Sequence, residues 1–184
     1  MNKNNLRREL KLKRLELMKH FSRSMCDSVL KNASGLIGTT YKKVAIYSPF
    51  GSEINIMDLS KMIGADTSLF FPVVQDGQQM KFVKWTDQDW SKNKYGILEP
   101  LSTDAGVLLT DRQTLVITPC LAANRKGDRL GYGGGYYDRF ISKNPLATYA
   151  ACLLSSLILE DLPVAEHDQP MEFLITENEL WECC

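Results

Sequence analysis

Histidine is scarce in this 184-residue sequence: only His20 and His167 occur, and none of the five cysteines stands in a C-x-x-C spacing. That scarcity excludes a structural zinc site, which needs four closely spaced Cys or His ligands. The cysteines Cys26, Cys120, Cys152, Cys183 and Cys184 are odd in number, and two of them are adjacent at the C-terminal end. Such a set does not make a disulfide framework and points to a reducing compartment, with Cys120 and Cys152 reading as small buried hydrophobes. A charge excess is also missing. Lys plus Arg and Asp plus Glu both number 22, so no bulk electrostatic term draws the chain to nucleic acid or anionic lipid. Met1 leads into Asn2, Lys3, Asn4 and Asn5 without an apolar signal region, and no later run approaches the roughly 20 apolar residues of a membrane span. The expectation is a cytoplasmic protein without membrane or nucleic-acid partners, monomeric or at most a weak dimer. Internal repeats and low-complexity segments are absent as well.

Apolar residues make up 44% and charged residues 24% of the chain, enough to bury one sizeable core. A length of 184 residues predicts a single domain over 1–184. Leu6, Leu10, Leu15 and Leu17 among Lys, Arg and Glu predict a basic amphipathic helix over 6–17. Ser22 caps a second helix, carrying Met25, Val29 and Leu30, that Gly35 and Gly38 stop. A helical hairpin is therefore expected at the start. Short β-rich runs follow at 43–47 and 68–74, with 56–62 read as the helix between them. Asp76-Gly77 turns the chain into an antiparallel run at 80–85. Residues 86–113 are polar and read as loop, punctuated by Gly96 and Pro100. Strands are predicted at 114–118, 148–154 and 172–176, with a helix over 136–142 and a polar tail after the last strand. Alternating elements of this kind predict an α/β fold with an open, mostly parallel sheet.

In the run Asp128 to Asp138, four glycines (Gly131, Gly133, Gly134, Gly135) fall within five residues, after a strand and before a helix. Glycine permits positive φ and close backbone approach, and a helix start adds free N–H donors, which together make an anion nest. Arg129 adds a fixed cation, and Asp138 can hold a magnesium ion against the same phosphates. The spacing is neither G-x-G-x-x-G, which would need glycine at Tyr136, nor the P-loop. The blander account is a flexible turn whose glycines only let strand and helix pack closely. The flanking Arg129, Tyr136, Tyr137 and Asp138 favour a phosphorylated nucleotide.

The run Gly127 to Arg139, GDRLGYGGGYYDR, resembles the signature of the 5-formyltetrahydrofolate cyclo-ligase family, also called methenyltetrahydrofolate synthetase. The N-terminal stretch Lys3 to Arg7, the run S-P-F-G-S-E ending at Glu53, and Y-G-I-L-E-P from Tyr95 to Pro100 stand in the family's order. The resemblance covers nearly the whole chain. It implies a fold related to the sugar-phosphate isomerase and CoA-transferase group. It also implies closure of 5-formyltetrahydrofolate to 5,10-methenyltetrahydrofolate, driven by ATP and Mg²⁺ through a phosphorylated formyl intermediate, with ADP and phosphate released. Carried over by position, it implies nucleotide contacts for Lys3, Arg7, Arg129, Gly131, Tyr132, Gly133, Gly134, Gly135, Tyr136 and Tyr137. Arg129 and Tyr136 become the catalytic pair, and Asp138 and Asp168 the magnesium ligands. Ser48, Glu53, Tyr132 and Tyr136 become folate contacts, with the Glu53 carboxylate accepting from pterin N–H donors. Tyr132 and Tyr136 are shared between the two substrates.

Taken singly, these residues have plainer readings. Lys3 and Arg7 read as solvated charges on a helix face, Glu53 as a loop residue, and Asp168 before Pro170 as a turn former. Trp85, Trp90 and Trp181 read as packing residues. Two positions depart from the family pattern: Asn124 stands where many relatives carry Asp, and Tyr132 where some carry Arg. Within the same fold group, a sugar-phosphate isomerase or acyl transferase is the competing enzyme, since fold does not fix function. An RNA-associated protein reading bases with its tyrosines is the competitor of another class, and zero net charge opposes it.

Overall fold

The computed structural model describes residues 2–86, 89–101 and 106–183. Helix α1 (Lys3–Met18) starts at Asn2, whose side chain accepts from the Asn4 amide, and buries Leu6, Leu10 and Arg14 along one stripe. Helix α2 (Arg23–Ile37) is capped by Ser22, which accepts from the Met25 amide, and buries Val29, Leu30, Ala33 and Ile37. A spacing of three or four residues keeps each stripe on one helix face.

The sheet contains β1 (Lys43–Ala45), β2 (Ser68–Gln75), β3 (Gln79–Lys84), β6 (Thr114–Pro119), β9 (Thr148–Cys152), β10 (Phe173–Ile175) and β11 (Leu180–Glu182) in the order β11-β10-β9-β6-β1-β2-β3. The pairs from β10 through β9, β6 and β1 to β2 are parallel. The outer pairs β2–β3 and β10–β11 are antiparallel. The centre of a parallel sheet is covered on both faces, so its strands carry continuous apolar runs. Val44, Ala45 and Ile46 on one side and Leu115, Val116 and Ile117 on the other are fully buried. Helix α3 (Tyr136–Lys143) packs on β3, with the Phe82 and Phe140 rings edge to face at 4.9 Å.

Three expectations are corrected. The segment between β1 and β2 is a short 3₁₀ helix, Met57–Lys61, rather than an α-helix, and Leu59 is its one fully buried residue, too little for an α-helical stripe. The polar stretch 86–113 contains a hairpin, β4 (Trp90–Lys92) and β5 (Leu98–Pro100), paired Trp90↔Pro100. Asn93 organises its turn, its Oδ1 accepting from the amides of Tyr95 at 2.9 Å and Ile97 at 3.1 Å, and the Trp90 ring packs edge-on against Phe71 at 4.8 Å. The C-terminal tail supplies the edge strand β11. No helix among the described residues is long and apolar enough to cross a membrane.

From β1 the chain proceeds to β2 on one side and later crosses to β6 on the other. Such a reversal opens a crevice at the carboxyl ends of the strands, where ligands of open α/β sheets bind. The segments that follow β1 and β6 line a cleft there.

Candidate active site

The cleft has a volume of about 390 Å³, and every site residue expected from the sequence lines it: Lys3, Arg7, Ser48, Glu53, Arg129, Gly131 to Asp138 and Asp168. The glycine run does not follow the long strand β6 directly. A small hairpin, β7 (Ala122–Ala123) with β8 (Arg129–Leu130), lies between them. Asn124 shapes its turn by accepting from the amides of Lys126 and Asp128 at 3.1 and 3.0 Å. Its amide donates to the Asp128 carboxylate at 2.8 Å, so an Asp at 124 would set two acceptors against each other. Asn124 is a turn builder and not part of the cleft wall.

Within the glycine loop, Gly133 has φ +99° and a Cβ there would stand 3.3 Å from the Arg7 guanidinium carbon. Two loop carbonyls are already committed. Gly131 O accepts from Arg7 Nε at 2.9 Å, and Gly134 O accepts from Arg139 Nη2 at 2.6 Å. Arg139 also donates to Gln78 O from Nε and Nη2, which ties the loop to the β2–β3 turn. Helix α3 has no side-chain cap at Gly135. Its first intrahelical acceptor, Gly135 O, takes the Arg139 amide, so the amides of the first turn have no acceptor within the helix. A loop with tied carbonyls and a helix start with free donors is suited to an anion.

Cations and carboxylates alternate around this loop. Arg129, its side chain 4% exposed, donates from Nη2 to Asp138 Oδ1 at 2.6 Å. Lys3 pairs with Asp168, which also accepts from the Ala165 amide. Burial works against the Asp168 carboxylate, yet Lys3 and the Ala165 amide hold it below the usual range. Among the described residues no three His, Cys, Asp or Glu side chains group as a metal cage. Asp138 and Asp168 both line the cleft, each paired with a cation, and would be the carboxylates to hold a magnesium ion that shares its other positions with phosphate oxygens and water.

Another part of the cleft wall is built from the turn after β1. Glu53 is half-buried and its Oε2 accepts from the Phe50 amide at 2.8 Å. Burial raises its pKa, and the Phe50 amide, Tyr132 and Arg14 partly offset that rise. Among the described residues, three buried side-chain polar atoms make no well-formed hydrogen bond: Ser48 Oγ, Arg129 Nε and Tyr132 Oη. A buried polar atom left without a partner costs on the order of 1–3 kcal/mol, and all three belong to residues that line this cleft.

Sequence reasoning missed the β4–β5 hairpin as part of the site. Tyr95, on its turn, pairs hydroxyl to hydroxyl with Tyr136 at 2.9 Å. Glu99 Oε1 accepts from the Val74 amide at 2.8 Å and from Asn93 Nδ2 at 2.7 Å, which fastens the hairpin to β2. The run Tyr95 to Pro100 carried the signal, since no packing pattern explains an acid there. His167 also lines the cleft, beside Asp168.

The family model described as the 5-formyltetrahydrofolate cyclo-ligase family matches residues 1–177. The 5-formyltetrahydrofolate cyclo-ligase of Escherichia coli K12 is 30% identical over 149 residues, covering 76% of this chain and 80% of that one. The enzyme of the same name from Haemophilus influenzae is 28% identical over 152 residues, covering 79% and 81%. Among solved structures, the 5,10-methenyltetrahydrofolate synthetase of Aquifex aeolicus superposes with a TM-score of 0.84 at 26% identity, covering 99% of this chain and 93% of that one. A match along nearly the whole chain, on an α/β sheet whose cleft gathers the signature residues, means that this chain belongs to the 5-formyltetrahydrofolate cyclo-ligase family.

Proposed function

We propose that this chain closes 5-formyltetrahydrofolate to 5,10-methenyltetrahydrofolate using ATP and Mg²⁺, with release of ADP and phosphate. The observation that carries the reading is the meeting of two half-sites in one cleft. One is the glycine loop, with its carbonyls held by Arg7 and Arg139. The other is the wall of Ser48, Glu53 and Tyr132, where Ser48 Oγ makes no hydrogen bond within the protein and the Tyr132 hydroxyl lies against Glu53.

A formamide oxygen is a poor leaving group. Transfer of the γ-phosphoryl group to that oxygen breaks the bond to the β-phosphate and leaves N5 doubly bonded to the formyl carbon. N10 then attacks this carbon, loses its proton, and phosphate departs with the C–O bonding pair. Such a sequence asks the protein for positioning and charge neutralisation rather than a covalent nucleophile. Arg129, with Nε free of a protein partner, holds the transferring group, and Lys3 and Arg7 neutralise the polyphosphate. The amides from Gly131 to Tyr137 cradle its oxygens. Glu53 accepts from pterin N–H groups and Ser48 lines the ring. Tyr132 and Tyr136 exclude water from the formyl carbon. Asp138 and Asp168 would hold Mg²⁺, which supplies charge neutralisation on the phosphates when bound.

Mixing the protein with ATP, Mg²⁺ and 5-formyltetrahydrofolate should produce the absorbance of the methenyl product. A non-hydrolysable ATP analogue should give none. A folded sample that forms no chromophore, or forms it without ATP, would overturn the reading.

A further inference from the structure

Arg14 is 6% exposed and continues the stripe of Leu6 and Leu10 on α1. A third apolar residue would complete that stripe at no electrostatic cost, whereas burying a guanidinium costs several kcal/mol unless its donors are satisfied. Both of its hydrogen-bond partners are neutral. Nε donates to Ser52 Oγ at 3.0 Å, and Nη1 donates to Cys120 O at 3.3 Å. Its guanidinium carbon also stands 5.2 Å from the centre of the Tyr132 ring. Arg14 and Glu53 share the walls of a void of about 10 Å³, room for a single water. Three segments thus meet at one buried cation: the turn carrying Ser52 and Glu53, the end of β6, and the glycine loop.

We infer that Arg14 is a positioning residue of the folate subsite, pinning Ser52 so that the adjacent Glu53 is held against Tyr132 at the pterin wall. This rests on the reading of Glu53 as the pterin acceptor. The electrostatics agree with the geometry. The phenols of Tyr47, Tyr132 and Tyr137 and the thiols of Cys120 and Cys152 all feel Glu53, and burial pushes each of them up, which keeps them neutral. Burial also drives Glu53 up; the Phe50 amide, Tyr132 and Arg14 pull it back, and Arg14 is the only formal charge among these. Arg129 acts on Cys120 and Tyr137. Removing the Arg14 charge therefore moves Glu53 further up, and the ionised acceptor is lost at a higher pH.

Arg14→Met keeps length and apolar packing while removing charge and fork. It should raise the KM for 5-formyltetrahydrofolate roughly tenfold, the scale of one lost charged hydrogen bond, and leave the KM for ATP within about twofold. The acid limb of kcat/KM for folate against pH should move to higher pH. Arg14→Lys should keep the limb in place and recover part of the KM. Ser52→Ala should raise the folate KM in the same direction with the limb unmoved. Equal changes in both KM values, or an unchanged folate KM and limb in folded Arg14→Met, would overturn the proposal. If Arg14→Met does not fold, an unchanged folate KM in both Arg14→Lys and Ser52→Ala does so. If the wild-type protein makes no methenyl product, the reading of the site fails. Carbon NMR titration of Glu53 in wild type and Arg14→Gln then still tests Arg14, and identical titration curves refute its role.

Discussion

Arg129 and Asp138 are joined to each other at 2.6 Å inside the cleft, so the cation proposed for the phosphoryl group and the carboxylate proposed for the metal share one ion pair. Arg129 is the more buried partner. Asp138→Asn should then have two effects. It leaves a buried guanidinium without its counter-charge, which should cost about 1–3 kcal/mol after allowing for the partial exposure of Asp138. It should also raise the magnesium concentration needed for turnover. Urea denaturation reads the first effect and a magnesium titration the second. Unchanged stability would contradict the pair, and unchanged magnesium dependence would remove the metal role.

Gly133 and Gly135 both take positive φ in the loop, +99° and +66°, whereas Gly134 does not, and a Cβ there meets only the Tyr136 ring at 2.9 Å. An aromatic side chain can swing aside, and a backbone at φ +99° cannot change hand without moving its neighbours. Gly133→Ala should weaken ATP binding by at least about fivefold, the scale of a 1 kcal/mol strain, and Gly134→Ala should do less. Calorimetric titration of both variants decides; the reverse order would relocate the nest.

Lys3 and Arg7 should be tested singly, because cutting away the first turns also removes Leu6, which is buried. Lys3→Met should weaken ATP binding. Arg7→Met should weaken it more, since it also frees the Gly131 carbonyl that Arg7 holds at 2.9 Å. Fluorescent-nucleotide displacement reads both, and normal affinity in each variant would return these residues to the solvated surface.

Glu53 links stability to pH in the opposite sense from a carboxylate whose folded-state pKa is depressed. Burial holds its pKa above the usual range, so the folded chain binds this proton more tightly than the unfolded chain. Its contribution to stability is complete below the unfolded pKa and is lost as pH rises through the folded one. Glu53→Gln should therefore raise the melting temperature at neutral pH, by about 2–4 °C for each kcal/mol recovered, with little gain at acid pH. The folate KM should rise in the same variant. A melting temperature that falls at neutral pH would show that the carboxylate is favourably held there.

Gly127 lies outside the cleft wall, yet it is the most constrained glycine of the signature. Its φ is +91°, and a Cβ would stand 2.2 Å from Met171 O, the residue whose amide donates to Gly127 O at 2.8 Å. Gly127→Ala should cost at least about 2 kcal/mol of stability through strain and the displaced Met171 backbone. A wild-type melting curve would refute that.

The parallel strands were legible because burial on both faces forces uninterrupted runs such as Leu115 to Ile117. The helices were legible from Ser22 and from the Leu6 to Leu10 spacing. What escaped had no period. The strands β4 and β5 are three residues each, held by the side chains of Asn93 and Glu99 rather than by alternation. The glycine loop was legible as chemistry, but its arginine tethers join residues up to 124 positions apart, and spacing carries no trace of them. Arg14 follows Lys3, Arg7 and Lys11 at helical intervals, yet only packing separates the buried member of that row from the wet ones.

The cleft draws its walls from residues 3 and 7, 48–53, 72–80, 93–99, 129–138 and 167–168. No contiguous fragment of the chain can therefore carry the site, and assembling the binding surface is the same event as completing the fold. Any molecule held there withdraws the whole chain from its partly open forms, in proportion to concentration over affinity. Occupancy should be readable as resistance to a protease acting on α2 or β11, far from any contact with the occupant.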